Sequence, residues 1–178
     1  MLRLMLLSLW LSASTAAWWQ NITGVLDVTA PPYNADNTGS RDATAALQAA
    51  IDFARINRTV VFLPLGVYQV TAQLNVSMVT RANGVVIEGQ IPTLGGTAAT
   101  MAISSAPPSP QDHQRPVLFV PPNTPAFRDQ AHPRYVLCFY HYDRALNWSM
   151  PDQNFNQVLR GVDIRVGRWV SGVFVFIS

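Results

Sequence analysis

The chain has 178 residues, a formal net charge of +2, 49% hydrophobic residues and 12% charged ones. It is long enough to bury one core and too apolar for wholesale disorder. All twelve basic residues are arginine, which excludes a lysine base or Schiff base, and the absence of any basic run or basic-aromatic stripe argues against a nucleic-acid partner.

Residues 1–17, MLRLMLLSLWLSASTAA, combine an early arginine, an apolar run and a small-residue end. That is the layout of a secretory signal peptide, with cleavage near Ala16 or Ala17. The apolar run is about 14 residues, short against the roughly 20 that span a bilayer. The expectation is therefore a secreted protein with no membrane association after cleavage, and an uncleaved anchor is the alternative. Four Asn-X-Ser/Thr sequons, at Asn21, Asn57, Asn75 and Asn147, agree with secretion and would have to be exposed if used. Cys138 is the single cysteine, so no intrachain disulfide can form; within YVLCFYHY it reads as a buried apolar thiol.

Residues 18–178 read as one domain. After an exposed lead-in, Trp18 to Thr23, the stretch VLDV (Val25 to Val28) is a first strand ended by Pro31 and Pro32. The loop YNADNTGSRD follows, rich in residues that suit tight turns. Asp42 stands where a helix N-cap is expected, its carboxylate able to accept from the amides of the first turn. Leu47, Ala50, Ile51 and Ala54 then form one apolar stripe, which predicts a helix over Ala43 to Arg55, with Arg55 and Arg58 at the end that favours cations.

Short strands come next, at Thr59 to Leu63, Val67 to Val70, Leu74 to Val76 and Val85 to Ile87, with a Pro-Leu-Gly turn between the first two. Short strands separated by turns, without two-residue hairpin signals, point to a coiled solenoid more than a meander. Ile91 to Gln114 is rich in Pro, Gly, Ser, Thr and Ala and reads as a long surface loop, either a specificity loop or an excursion without a role. Strands resume at Val117 to Val120, Tyr135 to Tyr142, Val158 to Val166 and Val173 to Ile177. In the third of these Val162, Ile164 and Val166 share one face, and Asp163 and Arg165 the other. The chain ends on VFVFIS, an apolar strand without a polar cap, as expected for the front part of a longer solenoid.

With these residues in view, the segment from Val25 to Gln90 resembles the N-terminal part of the pectate-lyase-like superfamily, nearest to its rhamnogalacturonase or epimerase-like and exo-β-1,3-glucanase-like members. The family's Asp- and Gly-bearing loop with its Asp-capped, Ala-rich helix is matched by NADNTGSRDATAALQAAIDFA, its Phe-Pro-x-Gly-x-Tyr segment by VVFLPLGVYQV, and its Gly-ended strand by VVIEGQ. LRGVDIRVG is similar to a later coil. The chain departs from the pattern at Asn37, Thr38 and Ser40, where another Asp or Gly is usual, and at Leu65, where Pro or Ala is usual. The resemblance implies an all-β fold, a right-handed single-stranded parallel β-helix with an N-terminal capping α-helix. It also implies a polysaccharide as the substrate or ligand.

Glycoside hydrolysis needs two carboxylates at a set separation. Glu88 is the only glutamate, so a pair must be drawn largely from Asp36, Asp112, Asp129, Asp143, Asp152 and Asp163. Asp36 and Asp42 read better as loop and cap residues, and Glu88 as a solvated strand-edge residue. Asp163 with Arg165 is the one catalytic candidate pair, able to engage a sugar or its carboxylate, although a solvated ion pair is the plainer reading. Tyr140, His141 and Tyr142 offer a stacking surface, but the apolar character of both faces of that strand suits burial better. His113, His132 and His141 lack metal-ligand spacing, and no oxygen cluster for calcium or cofactor fingerprint is present, so no cofactor is expected. In the family the catalytic residues usually lie on later coils, here beyond Ser178. The expected protein is the N-terminal part of a secreted, carbohydrate-active β-helix, a glycoside hydrolase more than a polysaccharide lyase, acting on a β-1,3-glucan or pectin-type polysaccharide and inactive as the 178-residue chain alone. The alternative is a non-catalytic extracellular β-helix that binds glycan or serves as structure.

Overall fold

The computed structural model describes residues 24–76, 84–91, 115–129, 131, 134–139, 142–143, 148–149, 157–167 and 175–177. The expected signal segment, the lead-in and most of the long loop between Ile91 and Gln114 lie outside these residues.

The first pass of the chain gives β1 (Val25–Asp27), β2 (Thr38–Asp42) and then a helix, α1 (Thr44–Asn57). The second gives β3 (Val60–Leu63), β4 (Val67–Gln69) and β5 (Leu74–Asn75). The third gives β6 (Val86–Gly89), β7 (Val117–Val120), a 3-10 turn (Pro125–Phe127) and β8 (Leu137–Phe139). A small antiparallel pair, β9 (Tyr142–Asp143) and β10 (Trp148–Ser149), intervenes before the last pass, β11 (Val158–Arg160), β12 (Asp163–Val166) and β13 (Val175–Ile177).

The passes stack into three sheets, the first pass supplying strands to two of them and the later passes to all three. Their orders are β1-β3-β6-β11, β2-β4-β7-β12 and β5-β8-β13, and every pairing in them is parallel. A mostly-strand chain with one helix, whose parallel neighbours come from successive passes, is consistent with an all-β parallel β-helix. Register puts like beside like. Leu26, Val61, Ile87 and Leu159 align across the first sheet, Tyr68, Leu118 and Ile164 across the second, and Leu74 with Leu137 in the third. These point to the shared interior, where burying each large apolar side chain contributes about 1.5–3 kcal/mol. Tyr68 is fully buried, but its hydroxyl donates to the Pro64 carbonyl at 2.9 Å; burial, with Asp27 nearby, pushes its ionisation well above the ordinary phenol range.

Helix α1 buries the four residues of the expected stripe, Leu47, Ala50, Ile51 and Ala54, and packs against β3 and β5. It takes the place that a third-sheet strand would occupy in the first pass. The Gln48 carboxamide completes the substitution, because its Nε2 donates to the Asn75 carbonyl at 3.0 Å and its Oε1 accepts from the Asn75 amide at 2.8 Å. The edge of β5 is thereby satisfied by a side chain instead of a strand. The cap lies one residue later than expected. Asp42 still pairs with Gln69 in the sheet and the Ala43 amide donates to the Gln69 carbonyl at 2.8 Å, so strand conformation runs on and Ala43 becomes the N-cap, without a side-chain cap bond. Asp42 reaches in from outside, accepting from the Thr44 amide at 3.0 Å and the Thr71 hydroxyl at 2.6 Å.

Two other expectations change. The stretch Val158 to Val166 is two strands in different sheets, because Gly161 at φ 67° turns the chain between them. Cys138 is half-buried, since it holds the outward position between Leu137 and Phe139, whose side chains fill the interior.

Successive passes also touch at their corners. Gly66 has φ 148°, and a Cβ there would lie 2.2 Å from the Asn37 carbonyl oxygen in the pass above. Gly89 is equally constrained, with the Gly161 carbonyl oxygen 2.0 Å from its would-be Cβ. Gly66→Ala is expected to cost about 3 kcal/mol or more, from backbone strain together with overpacking. A thermal or urea unfolding curve within 0.5 kcal/mol (about the scatter of a neutral surface change) of the unmodified chain would refute it.

Candidate functional site

At the corner leading into β2, Asp36 organises its own loop. Its Oδ1 accepts from the Thr38 hydroxyl at 2.8 Å, and its Oδ2 from the Ser40 amide at 3.0 Å and the Arg41 amide at 2.7 Å. Desolvation opposes ionisation, yet these donors outweigh it and hold the Asp36 carboxyl down to about 2. The Asp42 carboxyl is held low in the same way, with desolvation overcome by bonds from Thr44 and Thr71. Both are therefore positional residues. Two of the residues that depart from the family pattern, Thr38 and Ser40, are hydroxyl donors of this loop.

Asp163 and Arg165 alternate with Ile164 on β12 and take the outer face, as the period-two pattern required, because Val162 and Ile164 pack against the core. The ion partner of Asp163 is Arg115, at 4.0 Å. Glu88 is not simply solvated: β11 lies in register with β6, and Arg160 Nη2 sits 2.7 Å from Glu88 Oε2. That contact raises the Arg160 guanidinium's already high ionisation further, through the hydrogen bond and the charge of Glu88.

A cleft of about 540 Å³ lies where the second and third passes turn from the second sheet to the third. Gln73, Asn75, Asp129 and Arg134 supply its polar wall, with Ala72, Pro125 and Ala126 between them. Gln73 is fixed at both ends, accepting from the Tyr135 amide at 3.0 Å and donating to Asn75 Oδ1 at 2.7 Å. Asp129 Oδ1 accepts from the Ala131 amide at 2.9 Å. The cleft thus presents a carboxylate, a guanidinium and carboxamides beside small apolar surface, a set suited to hydroxyl-rich ligands. Asp129 is its one carboxylate among the described residues, so the pair that hydrolysis needs is not assembled there by them.

Sequence reasoning named Asp129 but not Gln73 or Arg134. The only signal for them is the contact between turns 62 residues apart, which periodicity does not encode. Of the sequons, Asn57 and Asn75 are exposed, and Asn75 stands on the cleft wall, so a glycan there would share the cleft with any ligand. Asn21, Asn147, Asp112, Asp152, His113, His132, Tyr140 and His141 lie outside the described residues, as do the side chains of Tyr142 and Asp143. Among the described residues no group of three or more His, Cys, Asp or Glu is placed to hold a metal, and no helix is long and apolar enough to cross a membrane.

Residues 28–116 match the family described as rhamnogalacturonase A/epimerase, pectate lyase-like. The match runs from the end of β1, through the Asp36 loop and α1, to the residue before β7. No curated protein and no solved structure matches the chain.

The low Asp36 carboxyl fixes a pH dependence. A depressed native value contributes stability that is present above the ordinary carboxylate range, about 4, and is lost as pH falls through about 2. The stability difference between the unmodified chain and Asp36→Asn should therefore shrink between those limits. Melting temperatures at pH 5, 3 and 2 check it, and a difference that stays constant would contradict the hydrogen-bond assignment.

Proposed function

The chain belongs to the rhamnogalacturonase A/epimerase, pectate lyase-like family, and from that membership we propose that it is a secreted, carbohydrate-active protein built as a right-handed β-helix, of the glycoside hydrolase kind. Its ligand in this reading is a polysaccharide of the β-1,3-glucan or pectin type. The described residues provide the scaffold and a binding wall, and the hydrolytic carboxylate pair comes from outside them.

The family match over 28–116 carries the reading. The cleft supports it, because Arg134 and Asp129 can engage sugar hydroxyls or a sugar carboxylate while the Gln73 and Asn75 carboxamides set orientation. The same cleft also favours a second reading, a glycan-binding β-helix without catalysis, since it holds a single carboxylate among the described residues. The layout of residues 1–17 supports export, and in this reading the secreted product would begin near Trp18.

The 178-residue chain, expressed in a eukaryotic secretory host, is expected to appear in the medium without residues 1–17, as read by N-terminal sequencing. Titrated with β-1,3-glucan and polygalacturonan oligosaccharides, it should bind at least one, and Arg134→Ala should weaken binding about tenfold, the loss of one charged hydrogen bond. Failure to bind either would sink the carbohydrate reading of the cleft. Release of reducing ends by this chain would show that its own residues hold the catalytic pair.

A further inference from the structure

One hydroxyl at the end of α1 has no role in the fold. Thr59 lies between the helix and β3, its amide donating to the Ala54 carbonyl at 3.3 Å, and its Oγ1 is buried without a hydrogen-bond partner. Among the described residues no other buried side-chain nitrogen or oxygen is left in that state. A buried, unsatisfied hydroxyl carries a desolvation cost that a methyl group of the same shape avoids, so packing alone favours valine there. The backbone asks nothing of the hydroxyl either. Arg58, at φ 56°, closes the helix with its own amide on the Ala54 carbonyl, and Val60 begins the next strand by donating to the Gly24 carbonyl at 2.8 Å.

Thr59 is also the third residue of Asn57-Arg58-Thr59, an acceptor sequence for asparagine-linked sugar. We propose that Asn57 is glycosylated before α1 packs onto the strands, and that the Thr59 hydroxyl serves that step. The transferase has to reach both the Asn57 carboxamide and the hydroxyl two residues on. In the folded chain Asn57 Nδ2 donates to the Phe53 carbonyl at 2.9 Å, the hydroxyl is buried, and Arg58 holds the two in the closing turn of the helix. The acceptor is therefore the unfolded chain, in which all three residues are solvated. In the transfer Nδ2 forms a bond to C1 of the N-acetylglucosamine of a lipid-pyrophosphate-linked oligosaccharide. The C1–O bond breaks, the lipid pyrophosphate leaves with the electron pair, and one Nδ2 proton passes to a base of the transferase. The second N–H remains available for the Phe53 carbonyl once the helix forms, and Asn57 is exposed, so the surface has room for the sugar. Folding then buries the hydroxyl that the transferase has already used. The inference rests on the export reading and is independent of the carbohydrate reading of the cleft.

Peptide mapping of whole-cell product from a eukaryotic secretory host tests it in two arms, the full chain and residues 18–178 behind a leader of known function. Entry in the second arm does not depend on residues 1–17, so sugar on Asn57 is expected there in any case. A bare Asn57 in that arm overturns the proposal, whereas sugar in the second arm alone supports the site and counts against the export reading. Thr59→Val should abolish the modification and Thr59→Ser should retain it. Made in the bacterial cytoplasm, without sugar, the Thr59→Val chain should melt above the unmodified one. A lower melting temperature would show that the fold does use the hydroxyl. The order of events has its own readout, with a purified transferase and its lipid-linked donor. A peptide of residues 50–62 should accept sugar at Asn57 about tenfold faster or more than the folded chain, which must first open its helix end. Equal rates would overturn the claim that transfer precedes packing.

Discussion

Where the strand ladders stop, side-chain carboxamides join backbone bonds such as Val117 N–H to the Gly66 carbonyl in holding successive passes together, and the stacking of this chain rests on both. Parallel strands of two to five residues leave some backbone groups at the corners beyond the ladders. Gln48 pairs with both backbone groups of Asn75, Asn37 donates to the Leu65 carbonyl, Gln90 accepts from the Leu65 amide, Gln73 from the Tyr135 amide and Gln157 from the Val85 amide. Each joins one pass to another. A buried backbone group left unmade costs about 1–3 kcal/mol, and the part-buried amides and carbonyls at Leu65, Tyr135 and Val85 avoid a share of that cost through these side chains.

The same geometry explains why glycine and short side chains crowd the corners. Carboxamides can bridge successive passes only if the backbones come close, and at Gly66 and Gly89 the approach leaves no room for a Cβ. The helix fits this scheme as a substitute for a strand. Its interior stripe joins the core, while Gln48 on its flank offers β5 the donor and acceptor that a neighbouring strand would have supplied.

What could be read from the sequence was local and periodic. The stripe Leu47, Ala50, Ile51 and Ala54 and the turn at Gly66 follow from rules that act within a few residues, and the family resemblance added the parallel stacking. Period-two alternation assigned faces correctly on β12 but could not reveal that Gly161 moves the chain to another sheet, because Leu159 and Val162 are apolar on either side of the turn. The apolar stretch around Cys138 suggested a buried thiol, because apolar neighbours on both sides hid which face was outward. The N-cap moved by one residue because a sheet bond to Gln69 competes with helix initiation at Ala43. The cleft depends on turns 62 residues apart and left no mark in any single window.

The acidic residues show why the described part of the chain reads as scaffold. A glycosidase acid must hold its proton near neutral pH, which requires a carboxyl poorly solvated and poorly bonded in its ionised form. Asp36 and Asp42 are arranged the other way, with amides and hydroxyls stabilising the carboxylate and holding both groups low. Asp27 accepts from Thr29, Asp52 meets Arg55, Glu88 meets Arg160, Asp163 meets Arg115, and Asp129 closes a turn onto Ala131. Every carboxylate whose side chain is described thus has a bonding partner within the chain. Ionised acids so engaged can hold loops and strands in place, and proton donation to a glycosidic oxygen requires a carboxyl in a different environment.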